Sequence, residues 1–345
     1  MNTNFIEGIV NVNDLAALRR SISPLSIYFT VFYMQILKNT PQFTPWYCNE
    51  FTARQISVVV CRLDQLDMQL SGNKIYKLLA NINVAKEQGF NTILSFGGMW
   101  SNHLYALAHA GKRYGLNTIG VVRGHEGQMT PMLADAIACG MTIHFVSPSE
   151  YKLKDSAQVR SNLTAKYGEF YAIPEGGANQ LGVSGCQLIG KQIEQSVHSD
   201  AEYVSLAVGT GTTIAGLCCG LSTSKIVVGV VVLKGMTDLN SDIDQFIQQQ
   251  NSESVAKLEL EHDYHFGGYA KITTELAEFV TAFNRNNSFA IEPIYTGKAF
   301  FAIWDKIRSG KIPAGSKVVL LHTGGMQGAR GTVDIVERLL IANVG

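Results

Sequence analysis

Two lysines three residues apart are the first residues in this sequence whose type and spacing could do chemistry. Lys74 and Lys77 lie in Ser71-Gly72-Asn73-Lys74-Ile75-Tyr76-Lys77-Leu78, where glycine and asparagine precede a predicted helix. Positions i and i+3 share one helical face, so both amines can point into one site. A lysine whose amine is made neutral by desolvation or nearby cations traps aldehydes, and a second lysine can pair with phosphate. The alternative is a solvated helix start with two surface lysines.

A second segment, Ser95-Phe96-Gly97-Gly98-Met99-Trp100-Ser101-Asn102-His103, places polar side chains directly after an apolar strand. Ligands of open parallel sheets collect at the carboxyl ends of strands, where Ser101, Asn102 and His103 are expected to lie. Amides at the start of a helix favour an anion there, such as a substrate carboxylate. An ordinary helix cap explains the serine and asparagine equally well.

A glycine-threonine loop follows the apolar run that ends at Val208 and begins another predicted helix. It consists of Gly209, Thr210, Gly211, Thr212 and Thr213. Glycines let the backbone wrap closely around phosphate oxygens, hydroxyls add donors and the helix start adds its dipole. Ile214 stands where a dinucleotide-binding loop needs its third glycine, and no Gly-Lys-Ser/Thr follows as in a nucleotide triphosphate loop. The loop therefore favours a compact monophosphate over a structural turn, and it argues against a nucleotide-binding oxidoreductase.

Two further segments each lead from a strand end or loop into a predicted helix. They are Glu292-Pro293-Ile294-Tyr295-Thr296-Gly297-Lys298 and Leu321-His322-Thr323-Gly324-Gly325-Met326-Gln327-Gly328. Taken separately, Tyr295 is typical of a core aromatic and the paired glycines are typical of a turn. The two segments indicate a binding site only in combination with the other three segments.

Composition indicates a globular protein with a small-molecule partner. The 345 residues exceed the usual size of a single core, and 46% are hydrophobic against 16% charged, so we expect two lobes sharing one chain. Lysine plus arginine and aspartate plus glutamate both number 28, which favours neither nucleic acid nor a membrane as partner. The six cysteines form no CxxC pair, so we expect free thiols in a reducing compartment rather than disulfides or a zinc site.

The N-terminal region follows no clear rhythm of strands and helices. It has no basic stretch followed by an apolar run and a cleavage site, so a secretory signal is not expected and the cytoplasm is the default location. The apolar stretch Leu25–Leu37 is shorter than a membrane span and contains polar residues, which predicts a packed segment. Residues 1–40 have no expected role beyond packing or dimer contact.

From residue 56 onward, short β-branched runs alternate with longer runs of helical period. This alternation predicts an α/β protein with mainly parallel strands joined by crossover helices. The predicted strands are Ile56–Cys61, Thr92–Phe96, Thr118–Val122, Thr142–Val146, Phe170–Ile173, Tyr203–Val208, Ile226–Leu233 and Val318–His322. The predicted helices are Asn73–Gln88, Asn102–Tyr114, Met129–Cys139, Gly182–Gln195, Thr212–Leu221, Lys271–Asn284, Gly297–Ser309 and Gly328–Ile341.

The five segments, in this order and spacing, resemble the aminocyclopropane-carboxylate deaminases and D-cysteine desulfhydrases, a family that uses pyridoxal phosphate. The resemblance covers Thr44 to Gly328 and includes Glu175-Gly176-Gly177 and Gly182-Val183-Ser184-Gly185. It implies the tryptophan-synthase-β fold (fold type II), with two open twisted, mainly parallel sheets flanked by helices. It also implies a large cofactor-binding domain from residues 1–77 and 178–345, a small domain from 78–177, and a homodimer.

The resemblance also implies a role for each matching residue. Lys74 would bind pyridoxal 5'-phosphate covalently and move the α-proton, while Lys77 and residues 209–213 would bind its phosphate. Asn102 would hydrogen-bond the pyridine hydroxyl, and Ser101 and His103 would meet the carboxylate of the amino-acid substrate. The remaining matches are Tyr269, in Phe266-Gly267-Gly268-Tyr269-Ala270, and Tyr295 as the two active-site tyrosines, with Thr296 and Thr323 near the pyridine nitrogen.

Departures from the family pattern bear on the substrate. Deaminases that open the cyclopropane ring typically have glutamate and glutamine where this chain has Thr296 and His103, and Tyr76 and Tyr105 replace arginines common in the family. A carboxylate beside the pyridine nitrogen deepens the electron sink more than a hydroxyl does. The sequence therefore predicts α,β-elimination with D-cysteine as the first substrate to test. Ring-opening deamination and a catalytically degenerate cofactor-binding protein are the alternatives.

Overall fold

The alternation of apolar runs with helical segments produces two separate sheets. The computed structural model describes residues 40–70 and 72–342. The strands are β1 (Gln42–Pro45), β2 (Ser57–Arg62), β3 (Thr92–Gly98), β4 (Asn117–Arg123), β5 (Met141–Val146), β6 (Tyr171–Ile173), β7 (Tyr203–Val208), β8 (Ile226–Val231), β9 (Lys257–Glu261) and β10 (Lys317–His322).

Helices join the strands and cover the sheets. They are α1 (Asn49–Ala53), α2 (Lys74–Glu87), α3 (Asn102–Tyr114), α4 (Pro131–Ala138), α5 (Pro148–Tyr151), α6 (Ala157–Tyr167), α7 (Gln180–Glu194), α8 (Thr212–Gly220), α9 (Leu239–Gln250), α10 (Thr274–Asn286), α11 (Thr296–Arg308) and α12 (Val333–Ala342). Short 3-10 helices span Leu63–Gln65, Glu175–Gly177, Asp263–His265 and Met326–Gly331.

The larger sheet has the strand order β1-β2-β10-β7-β8-β9. All neighbours are parallel except β1, which pairs antiparallel with β2 at the edge. The inner strands are runs of buried Val, Leu and Ala, because a parallel sheet is covered by helices on both faces. The smaller sheet has the order β5-β4-β3-β6 and is parallel throughout. The predicted α/β class with mainly parallel sheets is confirmed.

Aromatic packing fixes one end of α11 against the larger sheet. Trp46 lies 5.2 Å from Phe283 and 5.3 Å from Phe300 between ring centroids, and all three side chains are buried. Burial of such a side chain contributes about 1.5–3 kcal/mol. These contacts hold α10, α11 and the segment before β2 together, and so fix the helix whose first residues belong to the candidate site.

Close backbone packing fixes the start of α2, which carries the two lysines. A Cβ atom at Gly72 would lie 1.9 Å from the Thr323 carbonyl oxygen, and Gly72 also has a positive φ of 61°. The Asn73 amide donates to the same carbonyl at 3.2 Å. Further along, a Cβ at Gly185 would lie 1.9 Å from the Tyr76 carbonyl oxygen. Only glycine at both positions allows β10 and α7 to approach α2 this closely.

The sequence missed two edge strands and four helices. β1 contains Pro45 and no strong apolar alternation, and β9 reads Lys-Leu-Glu-Leu-Glu, so neither resembles the buried strands. The helices α1 and α5 are short, while α6 and α9 are rich in polar residues. The predicted helix Gly328–Ile341 is a 3-10 segment followed by α12, which begins at Val333. The other helix and strand ends differ from prediction by at most three residues.

Some of the predictions are not tested by the described part of the structure. Those for residues 1–39, including the packed segment 25–37, lie outside the described residues, as does Ser71. The boundaries of the two predicted domains stay a prediction, although every strand of the smaller sheet falls within residues 92–173. All six cysteines are unpaired thiols. Among the described residues, no helix has the length and apolar character needed to span a membrane.

Candidate active site

A short hydrogen-bond path joins Lys74 to the glycine-threonine loop. Lys74 is the first residue of α2, and its Nζ donates to Asn73 Oδ1 at 2.8 Å. Asn73 is 7% exposed, and its Nδ2 donates to Thr213 Oγ1 at 2.9 Å. Thr213 lies in the first turn of α8, directly after β7. The fold therefore brings together the lysine and the loop, which are 139 positions apart in the sequence.

The electrostatic surroundings of Lys74 favour a neutral amine. Desolvation within the protein and the positive charge of Lys77 lower the pKa of Lys74 to about 7, although its side chain keeps some accessible surface. Desolvation also lowers the pKa of Lys77, which is 4% exposed. The charged groups that act on Lys74 among the described residues are Lys77 and the thiol of Cys186. A large fraction of Lys74 is thus a free nucleophile near neutral pH.

Lys77 is held beside a pair of glycines that border the glycine-threonine loop. Its Nζ donates to the Gly176 carbonyl oxygen at 3.1 Å. A Cβ at Gly176 would lie 3.0 Å from the Thr210 methyl group, and one at Gly177 would lie 3.2 Å from Lys77 Cβ. Both glycines have positive φ, near 70°. This arrangement places a cation next to the loop that the sequence assigns to a phosphate.

The loop itself offers amides, hydroxyls and a helix start in one place. Gly211 has φ 79° and directly precedes α8 as its N-cap, and the Thr210 and Thr212 hydroxyl oxygens lie 3.2 Å apart. Thr212 and Thr213 are buried. Tyr295 lies against Gly209, where an added Cβ would be 3.6 Å from the tyrosine ring. Helix-start amides and hydroxyls are the donors that bind phosphate.

Asn102 and His103 present buried polar atoms that have no hydrogen-bond partner among the described residues. These atoms are Asn102 Oδ1 and His103 Nδ1. Asn102 lies against the glycine turn after β10, because a Cβ at Gly325 would be 2.9 Å from its Nδ2. Buried polar atoms are normally satisfied, so unpartnered ones indicate a site that a ligand completes.

A relay from the smaller sheet fixes the tautomer of His103. Ser95 Oγ lies 2.7 Å from the Ile173 carbonyl oxygen and 2.9 Å from His103 Nε2. The hydroxyl has one proton, which goes to the carbonyl, so His103 Nε2–H donates to Ser95 and Nδ1 carries the lone pair. Desolvation and the charges of Lys74 and Lys77 lower the pKa of His103 to about 3, which keeps the ring neutral.

The two predicted active-site tyrosines face each other. The ring centroids of Tyr269 and Tyr295 are 6.1 Å apart at an angle of 64°. Desolvation raises the pKa of both phenols, so both are protonated near neutral pH. Tyr295 lies directly before α11, and Tyr269 lies in the loop between β9 and α10.

Ser101 has the helix-cap role that the sequence allowed, while Thr296 and Thr323 have local roles that the sequence did not assign. Ser101 caps α3 and accepts from the Leu104 amide at 3.2 Å, while its hydroxyl proton remains available. The Thr296 hydroxyl accepts from the Glu292 amide at 2.9 Å and lies within hydrogen-bond distance of Glu292 carboxylate and carbonyl oxygens. Thr323 contributes its backbone carbonyl to the start of α2. A place for either threonine beside a pyridine nitrogen stays a prediction.

Sequence reasoning missed two charged residues at this site. Glu292 is 1% exposed and accepts from the amides of Ile294, Tyr295 and Thr296 at 2.7–2.9 Å. Lys298 is 0% exposed and donates to the carbonyls of His265 and Gly268. A charged residue within an apolar helix face was the available signal for Lys298. Glu292 carried the weaker signal of an acidic residue just before a helix start.

Comparison with known proteins decides the family. Residues 37–324 match the family model described as pyridoxal-phosphate dependent enzyme. The chain belongs to this family of pyridoxal-phosphate-dependent enzymes. Its site fits the cofactor, because Lys74 supplies a neutral amine, Lys77 and the glycine-threonine loop supply donors for a phosphate, and Asn102 has an unpartnered oxygen.

Named relatives of this pyridoxal-phosphate enzyme are similar over most of their length. A putative 1-aminocyclopropane-1-carboxylate deaminase from Pyrococcus horikoshii is 31% identical over 79% of this chain and 85% of that protein. A bifunctional D-cysteine desulfhydrase/1-aminocyclopropane-1-carboxylate deaminase from Arabidopsis thaliana is 29% identical over 81% of this chain and 75% of that protein. The crystal structure of an ACC deaminase homologue superposes with a TM-score of 0.77 at 27% identity, covering 92% of this chain and all of that chain. The predicted fold type II and the predicted family are confirmed.

Proposed function

We propose that this enzyme catalyses α,β-elimination of sulfide from D-cysteine, after which water hydrolyses the eliminated product to pyruvate and ammonia. The observation that carries the proposal is the neutral amine of Lys74, connected through Asn73 to the glycine-threonine loop. An amine with a pKa near neutrality both condenses with an aldehyde and accepts a proton. The Arabidopsis relative, whose name includes D-cysteine desulfhydrase, supports this choice of reaction.

Each group of residues in the site has its own role in the proposed reaction. Pyridoxal phosphate, when bound, supplies an electron sink that lets the α-proton of an amino acid leave. Lys77 and the loop of residues 209–213 would hold its phosphate, and the Asn102 side chain would hydrogen-bond its ring hydroxyl. Lys74 Nζ takes the α-proton. The amides at the start of α3 and the Ser101 hydroxyl bind the substrate carboxylate.

Elimination of a thiol needs a weaker electron sink than opening of the cyclopropane ring does. Position 296 carries a threonine, and its hydroxyl is engaged by Glu292. The carboxylate of Glu292 is in turn used by three amides. At the predicted position beside the pyridine nitrogen, the Thr296 hydroxyl would give weaker help than a carboxylate would. A weaker electron sink suffices when the leaving group is good, so D-cysteine is favoured over aminocyclopropane carboxylate.

Ring-opening deamination is the second candidate, and the names of several relatives support it. D-cysteine, L-cysteine and aminocyclopropane carboxylate are assayed in parallel, with detection of pyruvate, sulfide and 2-oxobutanoate. The proposal predicts pyruvate and sulfide from D-cysteine at a kcat/KM at least about tenfold above that for ring opening, a difference of about 1.4 kcal/mol in transition-state stabilisation. Lys74→Ala removes turnover, and Lys112→Ala, at an exposed position of α3, retains it.

The result also separates an active enzyme from a degenerate binding protein. Higher activity on aminocyclopropane carboxylate would replace the proposal by its alternative. Cofactor absorbance without turnover of any of the three substrates would support a cofactor-binding protein that has lost catalysis.

We also propose that the enzyme is a homodimer and that it is located in the cytoplasm. The homodimer comes from the family resemblance, and six unpaired cysteines are consistent with a reducing compartment. Sedimentation equilibrium of the purified protein tests the first part, with a mass near twice 37.7 kDa as the expected result. Imaging of the tagged protein in its own cells tests the second.

A further inference from the structure

The loop that carries Tyr269 has an unfavourable backbone. Phe266, Gly267, Gly268 and Ala270 have φ values of 52°, 96°, 120° and 55°. Two of these four residues carry side chains that disfavour the left-handed region, so the conformation costs free energy and persists only if neighbouring groups hold it. Tyr269 itself is 40% exposed, so burial of its own side chain does not fix its position.

A lysine from another helix holds this loop. Lys298 Nζ donates to the His265 carbonyl oxygen at 2.9 Å and to the Gly268 carbonyl oxygen at 2.8 Å. Both carbonyls lie within four residues of Tyr269 on its N-terminal side. The lysine side chain is 0% exposed, and a charged donor makes stronger hydrogen bonds than a neutral one, the more so in a dry interior.

The same helix positions the opposing tyrosine. Tyr295 and Lys298 are three residues apart at the start of α11 and share one helical face. The Glu292 carboxylate fixes the backbone of Tyr295 by accepting its amide at 2.9 Å. The negative charge of Glu292 raises the pKa of Lys298 and so partly offsets the lowering of that pKa by desolvation. One helix start therefore sets the position of both rings.

Building on the proposed function, we infer that Lys298 is a positioning residue that fixes Tyr269 opposite Tyr295 by clamping the carbonyls of His265 and Gly268. Its ammonium acts through the loop backbone and does not touch the substrate. Loss of the clamp lets the loop leave its left-handed conformation, and the Tyr269 ring then loses its place 6.1 Å from Tyr295. A shift of about 1 Å at such a group costs on the order of 10²-fold in rate.

Loop mobility is tested first, without cofactor or substrate. Lys298→Met removes the ammonium, and Lys306→Met is the matched control on the same helix, where a lysine of 7% exposure pairs with Glu261. Hydrogen exchange of peptides covering residues 263–271, and the rate of tryptic cleavage after the exposed Lys271, are measured in both variants. The inference predicts faster exchange and cleavage in Lys298→Met than in wild type and in the control. Equal rates in Lys298→Met and wild type would overturn it.

A double-mutant cycle separates positioning from general stability. In the holoenzyme, Lys298→Met is expected to lower kcat by about 10²-fold, and Tyr269→Phe to lower it as well. In the Tyr269→Phe background, Lys298→Met should cause less than about a threefold further loss, because the group that it positions is already gone. Additive losses would show that Lys298 does not act through Tyr269. If Tyr269→Phe has full activity, the assigned role of that tyrosine fails, while the exchange result still decides on the clamp.

Discussion

Helices α2 and α11 both carry lysines that are buried or partly buried. The groups that surround these lysines give them different chemical properties. Near the end of α11, Lys306 is 7% exposed and forms an ion pair with Glu261. At the start of α2, desolvation lowers the pKa of both Lys74 and Lys77, and the charge of Lys77 lowers that of Lys74 further. Desolvation without a carboxylate partner favours the neutral form of an amine, and a nearby like charge adds to this effect. Lys74 is therefore a better nucleophile than a lysine whose charge is used in an ion pair.

The largest effect is expected from removing the reactive amine. Lys74→Ala should reduce kcat by at least about 10³-fold, because both the covalent link to the cofactor and the proton acceptor are lost. Lys306→Ala should keep kcat within about threefold of wild type, since that lysine forms an ion pair with Glu261 and has no predicted contact with cofactor or substrate. Steady-state kinetics on D-cysteine check both variants. Similar losses in the two would remove the distinction between the two helices.

The next effect concerns the charge that depresses the pKa of Lys74. Lys77→Gln removes the positive neighbour, so the pKa of Lys74 should rise above its value of about 7. The acidic limb of the kcat profile, which reports groups of the enzyme–substrate complex, should then move to higher pH. Cofactor affinity should fall by roughly tenfold through loss of a charged phosphate contact. An unmoved acidic limb would show that Lys77 does not tune Lys74.

The lowered pKa of Lys74 should also make the free energy of unfolding of the cofactor-free protein depend on pH. Because folding lowers the pKa of Lys74 from 10.5 to about 7, the unfolded chain binds more protons between these values. This group therefore destabilises the fold at and below pH 7, and its penalty disappears as the pH rises toward 10.5. Lys74→Met should exceed wild type in free energy of unfolding by on the order of a few kcal/mol near pH 7, less at higher pH. Urea denaturation at several pH values measures this, and a constant difference would contradict it.

The smallest effect is expected at His103. Its pKa is near 3, so it stays neutral from pH 5 to 8 and cannot cause a limb of the activity profile there. His103→Gln should therefore leave both limbs in place while changing KM by about tenfold or less, because one neutral polar side chain replaces another at a position predicted to meet the substrate. The ratio of activity on aminocyclopropane carboxylate to that on D-cysteine is measured alongside. A limb that disappears in this variant would assign the titration to His103 instead of Lys74.

The sequence predicted the elements whose pattern is local. Apolar runs such as Val204–Val208 and glycine-threonine or serine-asparagine loops at strand ends carry their signal within ten residues, and the structure has them where expected. The joint placement of these loops followed from the rule that parallel strands end at one edge. Strands β1 and β9 were missed because edge strands need fewer apolar residues.

The remaining features depend on pairings between distant segments. The tautomer of His103 requires Ser95 to meet the Ile173 carbonyl, which happens only because β3 and β6 pair. The engagement of Thr296 by Glu292 depends on how α11 begins. The Lys298 clamp joins residues 30 and 33 positions apart. Local pattern cannot reveal such contacts, because the partners become neighbours only in the folded chain.

The central claim is that Lys74, and not another desolvated lysine, carries the cofactor. Borohydride reduction of the yellow holoenzyme fixes the cofactor to its lysine, and peptide mass spectrometry then locates the label. The account predicts label on Lys74, with none on Lys77 or Lys298, and none in Lys74→Ala. Label on either of the other two lysines, or retained label in Lys74→Ala, would contradict it.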